Sequence, residues 1–184
     1  MEIGATKAVQ DRLKTTKIEE SKGASLVFCW DTHLTKIKGR NVLFIVNASN
    51  RYTIAMTDIE PRNWNYYTMY IRSVIHGVMQ EMGYSEDQIG QYFKMSGDTT
   101  VTKTHGRKSV GGINRMVMDA QYFGKKLEKE AKYQWELSEY LNRDICQPEG
   151  FDAYGYPSEL FKLDMERLGI ISKRKPAKII DFTK

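Results

Sequence analysis

Two short, unbroken apolar runs dominate the first third of the chain, SLVFCW at residues 25–30 and NVLFIVN at residues 41–47. Both are rich in β-branched and aromatic residues, so they predict buried strands. From Arg51 the pattern changes to alternation. Tyr52, Ile54 and Met56 fall on one side and Thr53, Ala55 and Thr57 on the other. The intervening NASN has hairpin-loop length. Weaker strand signals lie at residues 3–5 and 98–104.

Helical spacing takes over elsewhere. Thr6 suits the N-cap of a short helix over residues 7–14, and Pro61 marks another helix start. After Pro61, Trp64, Tyr67, Ile71, Val74, Ile75, Val78 and Met82 recur at three- and four-residue steps until Gly83. Ser85 and Gln88 have capping-box spacing for a helix reaching about Met95. A long helix is predicted from about Ser109, with a buried stripe of Ile113, Met116, Ala120, Phe123, Leu127, Ala131, Trp135, Leu141 and Ile145, bent or split at Gly124. A last helix covers residues 157–169. The expected fold class is α+β: a small, mostly antiparallel sheet packed against helices, with a helical C-terminal extension. Residues 1–148 form the α+β domain. Residues 149–184 form the extension and basic tail, packed on that domain.

Composition narrows the class. A chain of 184 residues, 41% hydrophobic and 28% charged, is globular and holds one sizeable core. No apolar run approaches the roughly 18–20 residues that span a bilayer, and MEIGATKAVQ lacks the layout of a secretory signal. With only Cys29 and Cys146 present, neither a disulfide framework nor a zinc site is expected. The chain reads as cytoplasmic, with no metal, cofactor or membrane partner.

The net charge of +5 is unevenly spread. Lys103, Arg107, Lys108 and Arg115 face only Asp98 within residues 98–115, and Lys173, Arg174, Lys175, Lys178 and Lys184 face only Asp181 in the tail. Clustered cations favour a nucleic acid or another acidic partner; a solubilising surface is the plainer alternative.

The richest stretch is TVTKTHGRKSVGGINRM, residues 100–116. Free amides at a helix start carry partial positive charge. Gly111 and Gly112 would let a phosphate approach, Arg107 could grip its oxygens in a fork, and Lys108 could add a point charge. Ser109 could cap the helix or touch the anion. Asn114, Arg115, Lys103 and Lys7 complete the candidate anion-binding set. The spacing is not that of a Walker loop, and a basic surface loop with a serine cap fits as well.

His105 is the acid–base candidate here, because an imidazole exchanges protons near neutrality. RNA scission by the 2′-hydroxyl needs a base, an acid and a cation. His105, with Arg107 and Lys108, could supply part of this and His33 or a carboxylate the rest; a solvated loop histidine is the alternative. Asp31 and His33 share one face of a predicted strand, opposite Trp30 and Thr32. They could form an oriented base or two metal ligands, but no third ligand is recognisable, and a polar strand face explains them too. Tyr66 and Tyr70, off the core stripe, are candidates for stacking on bases. His76 falls on a polar helix face.

Four segments together carry a resemblance: ATKAVQDRL; Trp30 with HLTKIKGRNVLFIVNASNRYTI; GRKSVGGINRMVMDAQYF; and YLNRDICQP. Their order over about residues 1–148 resembles a bacterial, plasmid and phage family of unknown function. Some members look like anti-CRISPR proteins that disable Cas9. Thr6, Lys7, Trp30, Asn47, Arg107, Ser109, Gly111 and Asn114 match its pattern; His105 does not. The resemblance implies an RNA-containing partner such as Cas9 with its guide, bound or cleaved at that RNA. A stand-alone metal-independent ribonuclease and a protein-binding module without RNA contact remain alternatives. Oligomeric state is left open.

Overall fold

The computed structural model describes residues 1–15 and 18–172. The tail cations from Lys173 onward lie outside the described residues. In chain order the elements are β1 (Glu2–Ala5), α1 (Lys7–Leu13), β2 (Cys29–Ile37), β3 (Arg40–Asn47), β4 (Thr53–Thr57), α2 (Pro61–Asn65), α3 (Tyr67–Glu81), α4 (Glu86–Ser96), β5 (Thr100–Thr102), α5 (Gly106–Gln121), α6 (Trp135–Asn142) and α7 (Pro157–Arg167).

The fold is α+β, built on one sheet of order β4-β3-β2-β1-β5. The sheet is mixed, not mostly antiparallel as its pattern suggests. β2–β3 and β3–β4 are antiparallel, whereas β1 runs parallel to both β2 and β5. Connectivity is the cause. Tight loops return a strand antiparallel, while a helical crossover delivers it parallel. The chain passes through α1 before β2, and through α2, α3 and α4 before β5.

Each sheet face has its own cover. Ile3, Trp30, Leu43, Ile45, Ile54 and Met56 pack with residues of α1–α4 and α7, among them Val9, Ile71, Ile75, Tyr92, Phe161 and Met165. Residues past 148 therefore share this core: Phe161 lies against Trp30 and Tyr52, with ring centroids 6.0 and 5.3 Å away. On the other face Ile37, Val42, Phe44, Val46 and Ala55 lie beneath Ile113, Met116 and Ala120 of α5 and Leu137 and Leu141 of α6.

Several boundaries differ from the pattern. Leu26–Phe28 forms a 3-10 turn, so β2 starts at Cys29 and runs on through the polar WDTHLTK. The capping box at Ser85 is present, with Gln88 closing it. The long helix splits into α5 and α6. Between them, the chain at Lys132–Gln134 pairs with the edge of β4: Thr57 N–H donates to Lys132 O at 2.8 Å, and Gln134 N–H to Ala55 O at 2.9 Å. This covers an edge strand and removes helical register from the stripe beyond. Phe123 and Leu127 stay buried, but Trp135 and Ile145 are 43% and 55% exposed. Among the described residues no helix is long and apolar enough to cross a membrane.

Candidate functional site

The register of the parallel pair β1–β2 sets Glu2 beside Cys29 and Gly4 beside Asp31. By strand alternation these side chains point toward α5. β5 then ends, and the chain enters α5 through Gly106, whose φ of +90° belongs to the region glycine tolerates. That turn sets His105 down over the sheet. Gly4 makes the room: a Cβ there would sit 1.8 Å from Asp31 Oδ1.

The result is a buried carboxylate–imidazole–carboxylate cluster. His105 Nδ1 lies 2.7 Å from Asp31 Oδ1, and its Nε2 lies 3.0 Å from Glu2 Oε2. Asp31 is fully buried; it also accepts from the Ser109 hydroxyl and, at 3.2 Å, from the His105 backbone N–H. Glu2 accepts from the Ser21 hydroxyl at 2.6 Å and the Lys22 N–H at 2.8 Å. The strip carrying Ser21 and Lys22 is tied to the far side of β5, where Lys103 N–H donates to Glu19 O at 2.9 Å.

Charge follows from this geometry. Burial works against a charged His105, but hydrogen bonding to Asp31 and to Cys29, together with the charge of the Asp31 carboxylate, outweighs it and raises its pKa to about 10. Burial likewise opposes ionisation of Glu2, and hydrogen bonds from Ser21 and His105 prevail, holding it below the ordinary glutamate value. His105 is thus an imidazolium with both N–H groups committed, and neither nitrogen offers a lone pair to a substrate. His33 stands apart: its Nδ1 faces Thr6 Oγ1 at 3.2 Å, and burial lowers its pKa. Thr6 occupies the N-cap of α1, yet its hydroxyl makes no capping bond.

Asp31 therefore supplies an internal anion at the mouth of α5, where the helix favours negative charge. The cations around it divide into two groups. Lys103 pairs with Glu20, Arg115 with Asp119 at 3.2 Å, and Lys7 with Asp11 at 2.8 Å. Arg107 and Lys108, in the first turn, are exposed and have no ion-pair partner among the described residues. Asn114 is exposed about two turns further on. Lys108, Ser109 and Gly112 line a cleft of about 50 Å³ together with Asn47, Arg51 and Gln147.

The sequence does not single out Arg51 or Glu2. Arg51 reaches Asp144 at 3.5 Å and Asp119 at 4.0 Å beneath that cleft. Asn47 shapes the β3–β4 turn, since its Oδ1 accepts from the Ser49 and Asn50 N–H groups. Tyr66 is exposed, while Tyr70 is partly buried and its hydroxyl finds no hydrogen-bond partner among the described residues. His76 lies 3.1 Å from Glu86. Glu2, Cys29 and His105 each present one ligand-type atom, all within 4.8 Å of one another, and are the residues that could hold a metal.

No curated protein and no solved structure matches the chain. A family model described as a domain of unknown function, DUF6933, matches residues 2–160.

Proposed function

From the premise that the chain belongs to the DUF6933 family, whose function is unknown, we propose that it is a binding protein for RNA or an RNA-containing effector. Cas9 with its guide is the effector to test first, as in an anti-CRISPR inhibitor. One observation carries this reading: Arg107 and Lys108 stand exposed, and unpaired among the described residues, in the first turn of α5, and Lys108 lines the cleft with Ser109 and Gly112. A guanidinium and an ammonium so placed suit phosphate oxygens. The same geometry favours binding over cleavage. His105 is doubly hydrogen-bonded to carboxylates and Ser109 donates to Asp31, so the acid–base work of RNA scission has no free group at this place.

The test is a mobility-shift titration with guide RNA, alone and on Cas9, followed by a denaturing gel. Binding weakens as salt rises. The double reversal Arg107→Glu/Lys108→Glu lowers affinity and flattens the salt slope by about one for each phosphate that is no longer neutralised. The RNA stays intact. Cleaved RNA restores the ribonuclease alternative. Binding to Cas9 that is indifferent to the reversal moves the interface to a protein surface.

A further inference from the structure

We infer that Glu2, Cys29 and His105 together hold one divalent ion of the zinc type beneath the start of α5, with Asp31 as the residue that orients His105. The inference does not depend on the RNA reading. Sequence spacing pairs Asp31 with His33 as candidate ligands. The fold instead brings Glu2 from β1, Cys29 from β2 and His105 from the β5–α5 turn into one buried place.

The donor set is a thiolate, an imidazole and a carboxylate, which suits zinc better than magnesium or calcium. Metal–ligand lengths of about 2.0–2.3 Å at tetrahedral angles put donor atoms about 3.3–3.6 Å apart. The three donors here lie within 4.8 Å of one another, and the Glu2–His105 edge is 3.0 Å. An ion seats with small side-chain shifts and no movement of the strands. The Cys29 thiol also lies 3.6 and 3.5 Å from the Ala24 and Ser25 carbonyls.

The surroundings complete the argument. A metal-bound histidine typically gives its other N–H to a carboxylate, which fixes the ring and its tautomer. Asp31 does this at 2.7 Å from Nδ1, and the Ser109 hydroxyl and His105 N–H hold Asp31 in turn. Ser21 and Lys22 steady Glu2 in the same way. The ion joins the sheet to α5 at a place where no apolar side chain does so.

The test uses the untagged full-length chain, expressed in zinc-depleted medium supplied with cobalt(II), and in parallel stripped with a chelator and titrated with zinc. Expected are one ion per chain, a thiolate-to-cobalt charge-transfer band in the near ultraviolet and a rise in Tm on zinc addition. Cys29→Ser loses the charge-transfer band. If that variant does not fold, the wild-type cobalt spectrum decides alone. A chain that unfolds on stripping and refolds with zinc supports the site equally. A folded chain that takes up no zinc or cobalt, or cobalt bound without the thiolate band, overturns it.

Discussion

α5 lies across one face of the sheet, yet its two ends rest on different chemistry. Over β3 and β4 it sets Ile113, Met116 and Ala120 on Val42, Phe44, Val46 and Ala55. Over β1 and β2 it sets His105 and Ser109 on Glu2 and Asp31. The apolar half is non-directional and gains from area removed from water. The polar half is directional, and each buried charge there needs its partner, because an orphaned charge costs more than the pair returns. A core of the first kind tolerates a change of shape and suffers from reduced volume; a cluster of the second kind tolerates neither a missing charge nor altered geometry.

The sharpest way to break this contrast is a pair of near-isosteric replacements. Met116→Leu conserves volume on the apolar half and costs less than about 1.5 kcal/mol. Asp31→Asn conserves shape on the polar half, yet leaves the His105 imidazolium facing a neutral amide. It costs about 3–5 kcal/mol, the range for breaking a buried pair. Denaturant midpoints of the two variants check this. Equal, small losses would mean that the polar half contributes nothing that water could not replace.

A smaller effect is expected from glycine. Gly4→Ala puts a methyl group where Asp31 Oδ1 already lies, 1.8 Å away, with the Thr104 backbone at 3.0 Å. Asp31 must then shift, and overpacking of this kind costs about 1–3 kcal/mol. Gly111, in α5 itself, has open space at the same position, so Gly111→Ala gains about 0.5–1 kcal/mol through helix propensity. Thermal melts of the two variants should move in opposite directions. A neutral Gly4→Ala would show that the carboxylate does not need its place.

How much of this was legible in the sequence follows the same division. Hydrophobic runs and periodic stripes mark β3, β4, α3, α4 and the apolar face of α5, because burial leaves a local trace. Ser85 and Gln88 announce their capping box three residues apart. The alternation placing Asp31 and His33 on one strand face holds in β2, but it does not say which histidine Asp31 meets. That partner is His105, brought over by β5 pairing parallel to β1. Glu2 reads as one polar residue ahead of a weak strand, and nothing near it predicts Cys29 or His105 as neighbours. Parallel pairing joins residues far apart in sequence, so such clusters leave no local signature. Gly124 marks the split of the long helix, which falls between α5 and α6; the path of the chain after it leaves no local trace. Phe123 and Leu127 keep apolar spacing and stay buried, while the backbone at Lys132–Gln134 pairs with the β4 edge. Arg107 and Lys108, by contrast, were conspicuous because charge at a helix start is a local feature.

The mildest expected effect concerns acid, and it sets His33, on β2 apart from the His105 cluster, against the apolar half of the face. Burial holds the pKa of His33 below its ordinary 6.5. The unfolded chain therefore takes up a proton as pH falls through about 6.5, while the folded chain resists it. The stability tied to His33 is fully present above that value and is lost as pH falls below it. His33→Gln removes this contribution and keeps a polar side chain next to Thr6. Between about pH 7.5 and about pH 5.5, on either side of the ordinary histidine value, the stability of wild type relative to His33→Gln should fall, whatever the raised pKa of His105 adds to both chains. Contributions from groups common to both chains cancel in the difference. Phe44→Leu, on the apolar half, should run parallel to wild type over the same interval, offset but with equal slope. If His33→Gln instead shares the wild-type slope, the proton sensitivity belongs elsewhere, and the two halves of the face cannot be told apart by acid.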